Sequence, residues 1–234
     1  MVNVNTVYQR VLALANKEQR GYITPQEFNL YANQAQMDIF EQYFYDINQF
    51  GRIKGNEKMY SDPIDILEEK IGAYLESQTL DNTSGSGAKN VFDIPDDSYR
   101  LSRLNIPTTN QKIEQLSYPK FMESRISPLT APSLSRPIYF VREGAIVVNP
   151  NTIHKIGVNY IRKPNPVKWT YTIINGKAIF NDSLVGFENF DLDPSEESKV
   201  VMKVLALAGI TLKDTNLYQI GESKDIKKIQ QEKQ

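Results

Sequence analysis

The sequence predicts an α+β protein: an N-terminal helical bundle, a central antiparallel β unit of about six short strands, then a C-terminal helix and an extended tail. Three observations predict it. Apolar residues recur at helical spacing through residues 1–76. Between residues 91 and 192 that spacing gives way to alternating β-rich runs broken by turn residues. A capped helical stripe returns at 193–212, ahead of a polar tail at 213–234.

Val7, Val11 and Leu14 recur at i, i+4 and i+7, which predicts a first short helix ending near Asn16–Gly21. Thr24, Pro25 and Glu27 then form a capping box with proline at the first helical position. Phe28, Ala32, Ala35 and Ile39 follow on one stripe, and the helix runs to about Ile47. A third helix starts at Asp62-Pro63 and presents Ile64, Leu67, Ile71 and Tyr74 or Leu75. The aromatic group Phe40, Tyr43, Phe44, Tyr45 and Phe50 covers more than one helix face, so some of its rings need a partner beyond the helix core.

Residues 77–90, SQTLDNTSGSGAKN, offer little to bury and read as a loop or linker. VFDIPDDSYRLSRLNI reads as strand, turn, strand. Residues 117–137 are punctuated by Pro119, Pro128, Pro132 and Pro137 and read as irregular surface chain. RPIYFVREGAIVVNP is a compact apolar hairpin, with Ile138 and Phe140 on one side of Arg142-Glu143-Gly144 and Ile146 and Val148 on the other. IGVNYIRKP is a further alternating strand. TYTIINGKAIF carries the strongest local signal in the chain, Asn175-Gly176 between two β-rich runs, which predicts a type I′ turn. Asp193-Pro194-Ser195-Glu196 caps the last helix, whose stripe is Val200, Val204, Leu207 and Ala208, with Gly209 as its stop.

At 234 residues the chain holds one large domain or two small ones. Its 27 basic and 28 acidic side chains leave a net charge of −1, so no overall field draws it to DNA or to an anionic membrane. With no cysteine, disulfides, thiolate nucleophiles and cysteine-ligated zinc are excluded. No secretory leader or membrane-spanning run is evident, and the chain reads as soluble and not exported.

His154 is the single histidine, which rules out paired-histidine chemistry and multi-histidine zinc sites. Gly85–Lys89, GSGAK, lacks the spacing of a phosphate loop and sits in linker-like sequence. The pairs Asp96-Asp97, Glu68-Glu69 and Glu196-Glu197 fit turns, solvent faces or helix N-termini. Asp191–Ser198 shares acidic spacing with calcium loops but lacks their central glycine and terminal glutamate. The sequence therefore predicts no catalytic residue, no cofactor and no metal. In the tail, Lys224, Lys227 and Lys228 interleave with Ile226 and Ile229, which fits equally a frayed terminus and a helix that folds on docking.

The order of parts resembles the head-to-tail connector proteins of short-tailed bacteriophages, of the adaptor or tail tubular protein A type. Tyr22–Asn29, YITPQEFN, looks like the ring proteins of crAss-like and related phages. Arg136–Phe140 (R-P-x-Y-F), the Gly144 turn, Ile146–Pro150 (I-V-V-N-P) and Val158–Pro164 (V-N-Y-I-R-K-P) follow in the order that such proteins show. The likeness covers most of the chain, residues 77–135 excepted. It implies a structural virion protein and no enzyme: a homo-oligomeric ring, usually dodecameric, below the portal protein. The next tail ring or tail barrel protein docks on the other side, genomic DNA passes through the channel, and no membrane is involved. The resemblance also implies that the Phe140, Ile146 and Val148 hairpin faces the next tail component. Likewise it implies that Ile226, Lys227, Lys228 and Ile229 reach the portal. Another tail ring, a nozzle component and a DNA-binding packaging accessory are the alternative readings.

Overall fold

The computed structural model describes residues 1–17, 23–52, 61–82 and 90–211. The chain divides into two compact units. The first joins Met1–Lys70 to the chain from Pro164 onward, and the second is Ile71–Lys163.

The first unit holds α1 (Val4–Lys17), α2 (Pro25–Arg52), most of α3 (Ser61–Gly72) and α5 (Glu197–Thr211). The capping box forms as the sequence suggests: Glu27 N donates to Thr24 Oγ1 at 3.3 Å, and Thr24 N donates to Glu27 Oε2 at 2.9 Å. The bond from Thr24 N holds the Glu27 carboxyl below its ordinary range. Phe28, Ala32, Ala35 and Ile39 are all fully buried. On α1 the buried face is Val4, Val7, Tyr8, Val11 and Ala15, whereas Leu14 is exposed. α5 lies against α1 and α2. It continues through Gly209, which is buried, so glycine there does not stop the helix.

A helical bundle is not the right description of this unit. Residues 164–192, without a helix, also pack into it, and three amide side chains of α2 hold the extended start of that segment. Asn33 Nδ2 donates to the Val167 carbonyl and Val167 N donates back to Asn33 Oδ1, both at 2.8 Å. Trp169 N donates to Asn29 Oδ1 at 2.8 Å, and Asn29 Nδ2 returns a bond to the Trp169 carbonyl at 3.2 Å. Gln36 Nε2 donates to the Asn165 carbonyl at 2.6 Å. Residues 29, 33 and 36 share one flank of a helix, and 165, 167 and 169 share one side of an extended chain. The two periods meet here, and the side chains stand in for a missing strand. Asn33→Leu strips both partners from Val167 in a partly buried place, so a loss of about 2–4 kcal/mol in denaturant unfolding is expected.

The second unit corrects the six-stranded antiparallel prediction. Seven strands form one mixed sheet: β1 (Leu75–Asp81), β2 (Val91–Asp93), β3 (Ser98–Asn105), β4 (Lys112–Gln115), β5 (Ile138–Arg142), β6 (Ala145–Asn149) and β7 (Lys155–Arg162). Their order is β1-β7-β3-β4-β5-β6-β2, and the two edge strands come into contact, so the sheet is nearly closed. Its interior is one cluster that includes Phe92, Leu104, Ile113, Tyr139, Ile146, Val148, Ile156, Val158 and Tyr160, with Leu80 packed against it. Every strand sends at least one side chain inward.

Two departures from the sequence reading have physical reasons. β1 lies where the sequence suggests the end of a helix and a linker. It pairs with β7 over seven residues, from Leu75↔Ile161 to Asp81↔Lys155. Polar cross-strand contacts support it: Ser77 Oγ to Asn159 Oδ1 at 2.8 Å, Arg162 Nε to Glu76 Oε1 at 3.1 Å, and Lys155 Nζ to Asp81 Oδ1 at 3.1 Å. The pairing of β4 with β5 is parallel, Glu114↔Ile138 and Gln115↔Tyr139. A parallel pair needs a crossover. The proline-punctuated stretch supplies it and contains α4 (Tyr118–Ile126), with Pro119 in its first turn.

The second predicted hairpin, β8 (Tyr171–Ile174) and β9 (Lys177–Phe180), is a separate two-stranded sheet in the first unit and does not join the β unit. Asn175 and Gly176 have φ of 51° and 75°, the two positive values that a type I′ turn requires. Trp169 decides where the hairpin belongs. Its ring stacks on Tyr171 and Phe180 at 5.6 and 6.0 Å and lies 4.3 Å from Tyr8 of α1.

Candidate functional site

Of the residues that the sequence singles out for partner contact, Ile146 and Val148 are wholly enclosed in the sheet interior. Phe140 is buried on the opposite face of β5, beneath Phe121 of α4 at 4.5 Å and Tyr118 at 5.4 Å. The hairpin is covered on both faces, so these three side chains build the unit and none offers a contact surface. Ile226, Lys227, Lys228 and Ile229 lie outside the described residues, as does the Gly85–Lys89 stretch.

His154 is exposed in the turn before β7. Glu196, read from the sequence as a first-turn acid, is buried there and paired with Lys70, whose ammonium also sits 5.6 Å from the centre of the Tyr43 ring. Among the described residues no three His, Asp or Glu side chains converge as metal ligands. No described helix is long and apolar enough to cross a membrane.

Two regions carry exposed apolar side chains on protruding elements. In the first unit, Ile173, Ile174 and Ile179 of the hairpin are exposed, as are Leu184 and Val185 in the loop after it. In the second unit, the crossover between β4 and β5 exposes Met122, Ile126, Leu129 and Leu134. α4 is thus two-sided. Phe121 goes down onto Ile138 and Phe140, and Met122 and Ile126, four apart, look outward.

The second unit also has an opening along its seam, where β1 and the β2–β3 turn face each other. Glu76, Asp93, Asp96 and Asp97 line it, together with Leu80, Ile94, Pro95 and Tyr160. One hydroxyl links its two walls: Tyr160 Oη lies 3.2 Å from both Glu76 Oε2 and Asp97 Oδ2. Burial first, then the two carboxylates, push the Tyr160 hydroxyl up from 10 to about 12. An unfolded tyrosine ionises near pH 10 while the folded one stays protonated. Stability therefore falls as pH rises through that window, because the unfolded chain has already released the proton. Tyr160→Phe removes this alkaline decline at a cost of about 1 kcal/mol at neutral pH, since water can solvate the two exposed carboxylates. Urea midpoints measured below and within the window check both effects.

By its two units the chain is an α+β protein that pairs a helical unit bearing a projecting apolar hairpin with a nearly closed seven-stranded unit bearing an apolar crossover. No protein-family model matches the sequence, and no curated protein matches it.

Proposed function

We propose that the chain is a structural subunit of a portal–tail connector in a short-tailed bacteriophage. Copies form a ring that joins the capsid portal to the tail and surrounds the path of the genome. The observation that carries this reading is the β8–β9 hairpin, which leaves two strand edges unpaired by any other described strand and three isoleucines exposed. A two-stranded hairpin is marginally stable in water by itself, and exposed apolar side chains on such an element mark a surface that meets other chains. The resemblance of Arg136–Pro164 to connector ring proteins supplies the kind of assembly. Near-zero net charge fits a channel through which DNA must move without being gripped.

Negative-stain imaging and mass photometry of the purified chain, alone and mixed with its portal, test the proposal. Closed rings in either sample are the expected result. A chain that stays a single copy in both samples overturns it.

A further inference from the structure

We propose that the α4 crossover of one copy docks into the acidic seam of the next copy, so that two unlike surfaces of the second unit form the repeating contact. This deepens the connector reading and rests on it for closure into a ring.

The crossover carries cations and apolar side chains together. Arg125 is in the last turn of α4, and Arg136 closes the segment; both are exposed and neither ion-pairs with a described residue. Ile126 and Leu129 are 83% and 93% exposed, and with Met122 and Leu134 they put four exposed apolar side chains on one segment. The seam has the complementary character. Asp96 and Asp97 are exposed at its rim, Leu80, Ile94 and Pro95 lie beside them, and among the described residues Arg162 ion-pairs with one further carboxylate of the opening, Glu76, at 3.1 Å. Lys163 reaches only the Asp96 backbone carbonyl, at 3.4 Å.

Topology prevents a copy from satisfying itself. The crossover leaves the sheet between β4 and β5, in the middle of the strand order, while the seam lies where the two ends of that order meet. In a nearly closed sheet these are opposite walls. A basic segment with exposed apolar side chains on one wall and an acidic recess on the other make a head-to-tail contact, the kind that generates rings when its rotation closes. A phosphate backbone would also attract Arg125 and Arg136, but it offers nothing to Ile126 and Leu129. The half-buried Ile94 and Pro95 of the seam do.

Charge exchange in the full chain tests the contact. One variant carries Arg125→Glu and Arg136→Glu; the other carries Asp96→Lys and Asp97→Lys. All four side chains are exposed, so far-UV circular dichroism should match the wild type in both variants; melting should match in the arginine variant and fall slightly in the aspartate variant, which loses the bond from Tyr160 Oη to Asp97 Oδ2. In sedimentation velocity each variant alone should self-associate at least roughly tenfold more weakly than the wild type. An equimolar mixture should recover wild-type association, because each reversed surface then meets its complement. Added salt should weaken wild-type association.

Wild-type association that survives in both variants, a mixture that does not recover, or a wild-type chain that stays single at every concentration overturns the contact. So does a crossover variant that loses only retention of duplex DNA in fluorescence anisotropy, a result that would assign the arginines to nucleic acid. Rings with the portal that persist in both variants overturn this contact and leave the connector reading standing. Recovery in the mixture without any ring in the wild type does the reverse.

Discussion

Trp169→Ala should lower the stability of the first unit by about 3–5 kcal/mol, the range for emptying a large aromatic from a packed interior. The site has little means of collapsing into the space. Tyr8 and Phe28 lean on each other from the helices, Tyr171 and Phe180 press from the hairpin, and Trp169 is the ring that joins the two groups. Its indole N–H donates to Asn5 Oδ1 at 3.1 Å, so truncation also leaves a partly buried acceptor unmet. Against a typical total of about 5–15 kcal/mol the loss is large. Chemical denaturation followed by far-UV circular dichroism measures it. Because Trp169 is the only tryptophan, the wild-type emission reports on this unit alone and should be blue-shifted while it is folded. A loss below about 1 kcal/mol would show that the hairpin is not anchored through this ring.

How much of this was legible in the sequence follows from how local each signal is. The two tight hairpins were legible because their turns are written in adjacent residues: Glu143-Gly144 and Asn175-Gly176 all take positive φ. The α2 start was legible for the same reason, since Thr24 and Glu27 are three residues apart. β1 was not, because LESQTLD has almost no apolar alternation. Its strand character comes from β7, some eighty residues later. α4 is hidden because Pro119 stands among prolines that punctuate 117–137, although proline suits a first helical turn. Asn29, Asn33 and Gln36 look like solvent-facing polar positions on a helix; nothing nearby announces that they hold residues 165–169. The seam is less legible still, since it exists only once a sheet in non-sequential order has curled on itself. The predicted contact residues on the hairpin were misplaced for a related reason. Period-2 alternation shows that one face of a strand is buried, whereas α4 covers the other face as well.

Phe140→Asp should have the second large effect, a loss of at least about 3–5 kcal/mol from the second unit, because it removes a packed ring and buries a carboxylate with no cation beside it. Phe140 is the floor on which α4 rests, through Phe121 and Tyr118. The sheet has little else to secure this region, since β4 and β5 pair over only two residues each. Losing the floor should therefore free the crossover first and open the sheet at its middle. Trypsin should then cut after Lys120 and Arg125 much faster than in the wild type, and the thermal transition should broaden or fall. Ile126→Asp on the same crossover is the informative contrast. It introduces the same charge at a position that already faces solvent, and its melting should stay within about 0.5 kcal/mol of the wild type. Both variants should lose self-association, the first through a misplaced crossover and the second through a spoiled contact on an intact one. A Phe140→Asp chain that melts and resists trypsin like the wild type would mean that α4 is held by something other than this ring.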